Sequence, residues 1–228
     1  MMEGENSAAV PAPLHDWQGD GRWKDMHARF VNEAKLKEPD VLFIGDSLIA
    51  HLANTEVWEQ WFEPLHALNF GIGGDETQHI LWRIQNGELD IIQPKVVILL
   101  VGTNNHKHTP EQVVEGIKTI LKCIRQKQPE ATILLLTVPP RGRGPNPLRE
   151  KIKSINTGLA CVVSTIDRVQ LVDIGNGFVN PDGLISHNDM WDYLHLTKRG
   201  YRRAFKPVYD VLLELLDETG FKDDEGVE

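Results

Sequence analysis

Two cysteines in 228 residues, Cys123 and Cys161, are too few for a disulfide framework. Neither stands in a Cys-x-x-Cys or Cys/His spacing that would hold zinc. Both fall in apolar-periodic segments and are expected as buried free thiols, which suits a reducing compartment. No apolar run approaches the roughly 18 residues a membrane-spanning helix needs. The opening MMEGENSAAVPAP is acidic and polar and lacks the apolar core of a secretory signal, so a cytoplasmic location is expected. Positive charge is in deficit: 24 Lys and Arg face 33 Asp and Glu, for a net charge of −9. That balance excludes the basic footprint on which nucleic-acid binding depends. The local exception is Arg141, Arg143, Arg149, Lys151 and Lys153, read as a solvated loop and helix start.

What the sequence does contain is a regular alternation. Short runs rich in Val, Ile and Leu occur at 40–45, 67–72, 95–101, 131–138 and, more weakly, 169–174. Such runs suit strands covered on both faces. Between them lie segments with apolar residues at helical spacing: 20–37, 53–63, 76–88, 110–127, 147–165 and 197–217. Alternating strands and helices require a parallel sheet with helices on both faces. The expected fold is therefore α/β, a three-layer α/β/α sandwich around a five-stranded parallel sheet. Residues 1–19 read as a flexible arm, 20–217 as a single domain and 218–228 as an acidic flexible tail.

In open sheets of this kind ligands bind beyond the carboxyl ends of the strands. The first run ends in Gly45-Asp46-Ser47-Leu48, the second in Gly71-Ile72-Gly73-Gly74 and the third in Gly102-Thr103-Asn104-Asn105. An acyl-transfer site needs a nucleophile and donors aimed at the developing oxyanion. Ser47 is the candidate nucleophile; its backbone N–H, that of Gly74 and the Asn104 side-chain amide are the candidate oxyanion donors. A serine hydroxyl requires a base. His195 stands three residues after Asp192 in DMWDYLHLT, a spacing that lets the carboxylate orient the imidazole. The competing reading of each piece is structural: a helix cap, a glycine turn, an Asx turn, a surface ion pair. Their joint placement on one rim favours chemistry. Asp46 is read as an organiser of its turn, and Leu48, Thr103 and Leu194 as walls of a small acyl pocket. His106 and His108 lack a third partner at metal-binding spacing, so no metal is expected.

The ordered set Ser, Gly, Asn and Asp-x-x-His resembles the SGNH, or GDSL-type, hydrolases, with GDSL at 45–48, FGIGGDE around Gly74, GTNN around Asn104 and DYLH at 192–195. The longer stretches LHALNFGIGGD, VGTNNH, PNPLREK and DYLHL are similar to the catalytic alpha subunits of the intracellular type IB platelet-activating factor acetylhydrolases. That resemblance implies a flavodoxin-like sandwich with no cofactor. It implies a Ser47–His195–Asp192 triad acting through an acyl-enzyme on the acetyl ester of an ether phospholipid. It also implies a homo- or heterodimer with a related alpha subunit, docked to a WD40 propeller regulatory subunit, the lissencephaly protein. A dimeric scaffold with secondary esterase activity is the alternative reading. An FMN binder is disfavoured, because the loop after the first strand lacks a phosphate cradle. Trp17, Trp23 and the first helix are candidates for the dimer face.

Overall fold

The computed structural model describes residues 6–218; the acidic tail expected at 218–228 lies outside them from 219 onward. Five parallel strands form one sheet: β1 (Val41–Gly45), β2 (Ala67–Gly71), β3 (Val96–Leu100), β4 (Thr132–Leu136) and β5 (Val169–Val172). Their spatial order is β2-β1-β3-β4-β5. The connections reverse direction on either side of β1, so the switch point falls between β1 and β3.

Alternation along each strand divides the core in two. Leu42 and Ile44 of β1, Val97 and Leu99 of β3 and Ile133 and Leu135 of β4 face one way. They meet α1 (Arg22–Leu36), α3 (Thr77–Arg83), α4 (Pro110–Lys127) and α5 (Pro147–Val163). Val41, Phe43, Val96, Ile98, Leu134 and Leu136 face the other way. They are covered by α2 (Ser47–Leu52), the turns around Trp58–Phe62 and the long α6 (Lys198–Glu218). Because both faces are covered, the central strands β1 and β3 are buried at every position rather than alternate ones, whereas the edge strands β2 and β5 admit Asn69 and Gln170.

Local chemistry sets the helix starts. Thr109 and Gln112 form a reciprocal capping box at α4, with Pro110 in the first turn. The Asn146 side chain accepts from the N–H groups of Leu148 and Arg149 at α5. The helix expected over 53–63 is present as helical turns at Trp58–Phe62 and Glu63–Leu65; a further helix, α2, starts at Ser47, directly on the end of β1. The carboxylate of Asp46 caps α2 by accepting the Leu48 N–H at 2.9 Å, and Leu48, Ile49 and Leu52 turn inward at helical spacing.

Part of the segment expected as an arm is laid against the body. Ala8 is fully buried, its carbonyl accepts the Thr77 hydroxyl at 2.7 Å, and the Asn6 amide donates to Gln112 O at 3.0 Å. Trp23 is a core residue rather than a surface one, whereas Trp17 is 85% exposed. Both cysteines are free, but Cys123 is only half-buried and Cys161 is exposed instead of buried. The basic run is not simply solvated either. Arg149 donates to the carbonyls of Arg141, Gly142, Arg143 and Gly183, and Lys151 donates to those of Asn105 and His106. These cations tie the loops beyond the strands together. Among the described residues, no helix is long and apolar enough to cross a membrane.

Candidate active site

Ser47 is the first residue of α2, delivered to the rim by the end of β1. Its hydroxyl lies 3.0 Å from Nε2 of His195. On the far side of the ring, Nδ1 lies 2.7 Å from Oδ2 of Asp192. The other oxygen of Asp192 accepts the backbone N–H groups of His195 at 2.7 Å and Leu194 at 3.0 Å. Tyr193, between them, adopts a left-handed φ of 62°, and this tight turn brings the carboxylate back beneath its own imidazole. Burial alone would raise the Asp192 carboxyl; the hydrogen bonds from His195 and Leu194 outweigh it and hold the group below the usual carboxylate range. A carboxylate ionised in this way fixes the Nδ1–H tautomer and leaves Nε2 able to accept a proton from Ser47.

The β2 and β3 loops complete the rim. Gly74 has a φ of 84°, a conformation that favours glycine. A Cβ on Gly73 would lie 3.8 Å from that of Ser47, so the β2 loop passes close to the Ser47 side chain. The Asn104 amide donates to the carbonyl of Asp75 at 3.0 Å, one residue from Gly74. The next amide, that of Asn105, both accepts from and donates to Thr77. The loops that follow β2 and β3 are thus joined side chain to backbone. Such an arrangement offers a hydroxyl, an oriented base and preorganised amides in one place, the requirements of acyl transfer.

The expected acyl pocket fares less evenly. Leu48 is 1% exposed and packed in the core under α6, so it forms no wall of an open crevice. Successive helical side chains point about 100° apart, and the residue after Ser47 is turned inward. Its carbonyl accepts the buried Tyr201 hydroxyl at 2.8 Å. Thr103 is buried, and its carbonyl and hydroxyl oxygens accept from Arg141. Leu194 is half-buried and lines an open cavity of about 550 Å³ with residues 141–148, Asp192 and Tyr193. Of the nearby histidines, His106 is exposed, and His108 lies 2.9 Å from the Ser7 hydroxyl. Among the described residues, no group of three or more His, Cys, Asp or Glu is placed to hold a metal.

Several supporting residues went unrecognised in the sequence. Arg83, fully buried, binds Asp75 at 2.8 Å and both oxygens of Glu88, and donates to Phe70 O and Gly45 O. It therefore braces the ends of β1 and β2 from behind; the available signal was a cation on the apolar stripe of Ile80, Leu81 and Ile84. Trp23 Nε1 donates to the same Asp75 at 2.7 Å. Burial raises the Asp75 carboxyl to about 6 against the opposing pull of Arg83 and Trp23. Asp46 is fully buried. One of its oxygens caps α2, but the other has no hydrogen-bond partner. Burial, reinforced by Asp75, raises this carboxyl to about 7 against the Leu48 N–H and Arg141.

Residues 43–203 match the GDSL-like lipase/acylhydrolase family. The chain is 52% identical to platelet-activating factor acetylhydrolase IB subunit alpha1 of Rattus norvegicus, over 94% of this chain and 92% of that one. It is 50% identical to the alpha2 subunit of the same species, over 96% of both. A crystal structure of a GDSL-like lipase from Bacteroides thetaiotaomicron superposes with a TM-score of 0.69 at 15% identity, covering 85% of this chain and 98% of that one.

Proposed function

Because the chain belongs to the GDSL-like lipase/acylhydrolase family and is an ester-hydrolysing enzyme, we propose that Ser47, His195 and Asp192 carry out its reaction. The observation that supports this reading is the unbroken hydrogen-bonded chain from the Ser47 hydroxyl through His195 to Asp192. Ser47 attacks the ester carbonyl while His195 takes its proton. The N–H groups of Ser47 and Gly74 and the amide of Asn104 receive the oxyanion. His195 then protonates the departing alcohol, and water releases the acyl group by the same steps in reverse.

The substrate we assign is the acetyl ester of an ether phospholipid of the platelet-activating factor type. Identity of about half the residues with chains named for that activity supports it. Leu194 and Thr103 flank the acyl group in this reading. The same relatives are subunits. This chain is accordingly assigned to an assembly, as a homo- or heterodimer with a related alpha subunit and a WD40 propeller partner. The exposed side chains of Trp17 and Leu36 give such a dimer apolar surface to cover. A reducing, cytoplasmic setting fits the two free thiols.

The test is hydrolysis of glycerophosphocholine esters from acetyl to hexanoyl by the wild type and Ser47→Ala. Acetyl should be preferred, and Ser47→Ala should be silent on every ester. An active Ser47→Ala protein removes the site assignment; preference for hexanoyl removes the substrate assignment.

A further inference from the structure

Hydrogen bonds at Nδ1 and Nε2 fix the long axis of the His195 imidazole but not the tilt of its plane about that axis. The tilt is set by what lies against the ring. The indole of Trp191 is nearly parallel to it, with centroids 5.5 Å apart and an interplanar angle of 17°. Trp191 is 60% exposed, so the core does not account for its position. The backbone does: its N–H donates to the His195 carbonyl at 3.1 Å, and Met190 and Leu196 form an antiparallel bridge around them. The turn that carries Asp192 thus also presses Trp191 onto the base.

We propose that Trp191 is a positioning residue of the acyl-transfer site: its π face fixes the plane of His195 and stabilises the imidazolium that forms when the Ser47 proton is taken. The inference rests on the reading of Ser47, His195 and Asp192 as the site of acyl transfer. An indole face attracts a cation within about 6 Å of its centroid. The attraction is absent for neutral imidazole, so it is gained as the transition state is approached, which is the condition for raising kcat rather than lowering KM. The other groups facing the base are accounted for. Asp192 lies at Nδ1 and Ser47 at Nε2. Arg141 acts electrostatically on Asp192 from the loop after β4. His51, one turn beyond Ser47 on α2, has its ring centroid 4.9 Å from that of His195 at 44°. Burial and the neighbouring His195 hold His51 below the ordinary imidazole range, so at pH 7 to 8 it opposes the imidazolium with no charge of its own.

At an exposed site this attraction amounts to about two- to fivefold in the imidazole–imidazolium equilibrium. Trp191→Leu, which keeps apolar cover without a π face, should lower plateau kcat by about two- to fivefold with KM unchanged. It should also move the acid limb of kcat/KM to lower pH by about 0.3–0.7 units. Trp191→Phe should recover part of both effects. The same downward shift should appear in an NMR titration of the His195 ring in Ser47→Ala/Trp191→Leu relative to Ser47→Ala, where no turnover is involved. Trp191 is exposed, so neither variant opens the core. An unmoved acid limb, a rise in KM alone, or Phe no better than Leu would each overturn the proposal. An active Ser47→Ala protein would instead overturn the site reading beneath it.

Discussion

Asp46, next to the nucleophile, offers the sharpest test of the electrostatics beneath the rim. Its carboxyl is fully buried, with one oxygen on the Leu48 N–H and the other unpartnered. Burial lifts it from the ordinary 3.8 to about 7. Below pH 3.8 both folded and unfolded chains hold the proton. Between 3.8 and about 7 the unfolded chain releases a proton that the native state keeps, so this group's contribution to stability declines as pH rises. Above about 7 both states are ionised and the deficit is constant. At about 1.36 kcal/mol per unit, the full shift corresponds to about 4 kcal/mol. Asp46→Asn keeps a cap oxygen for α2 and cannot ionise. Its unpartnered amide NH₂ adds a penalty of about 1–3 kcal/mol, but that penalty does not vary with pH. Urea unfolding of wild type and Asp46→Asn at intervals from pH 5 to 8 should therefore give a difference curve that moves in favour of Asn by about 3 kcal/mol and flattens near pH 7. Other titrating groups are common to both proteins and largely cancel, apart from Asp75, whose charge acts on Asp46. Parallel stability curves would refute the assignment of this proton to Asp46. Esterase activity of Asp46→Asn at pH 8 should stay within about threefold of wild type, since the cap that positions Ser47 is retained.

Asn104→Ala should reduce kcat by about 10²–10³ with little change in KM, as expected for a donor that acts on the oxyanion alone; steady-state kinetics on an acetyl ester decides it. Gly71→Ala places a Cβ 2.7 Å from the Ala50 Cα and against the Ala50 nitrogen. Because backbone rather than a side-chain tip stands in the way, it should push α2 off β2, destabilise the fold by about 1–3 kcal/mol or more and displace Ser47. Both show as a lowered urea midpoint and lost activity. Arg83→Met strands the buried carboxyls of Asp75 and Glu88 and should destabilise by about 3–5 kcal/mol near neutral pH. The loss should shrink towards pH 5, as Asp75, raised to about 6, takes up its proton, and Arg83→Met/Asp75→Asn/Glu88→Gln should recover stability. A loss that does not vary with pH would show that packing, not charge, is what Arg83 supplies.

Which parts of this molecule were readable from its residues follows from the range of the forces involved. The strands were readable because runs such as VLFIG and VVILL have one interpretation in a sheet covered on both faces, and all five appear with ends within two residues of expectation. The start of α2 was not, because VLFIGDSLIA stays apolar while its period changes from two to 3.6 at Asp46. The capping carboxylate was the visible sign. The rim residues Ser47, Gly74 and Asn104 were legible as strand-end residues, since the topology alone brings the ends of β2, β1 and β3 together. What lay beyond reach was the set of cations and core anchors paired by contact across the fold. Arg141 and Arg149 looked like ordinary surface charge and Arg83 drew no reading, yet each satisfies carbonyls or carboxylates that no local pattern pairs with them. Leu48 shows the same limit from the other side. Adjacency to Ser47 in sequence suggested adjacency to the acyl group, but a helix starting at Ser47 turns the next side chain into the core. The same geometry that hides Leu48 turns Ser47 toward His195 and sets His51 one turn along, beside the base. A single capped turn after β1 therefore orders nucleophile, core anchor and histidine neighbour at once. Perturbing the Asp46 cap should disturb all three together, whereas changes at Trp191 should reach only the base.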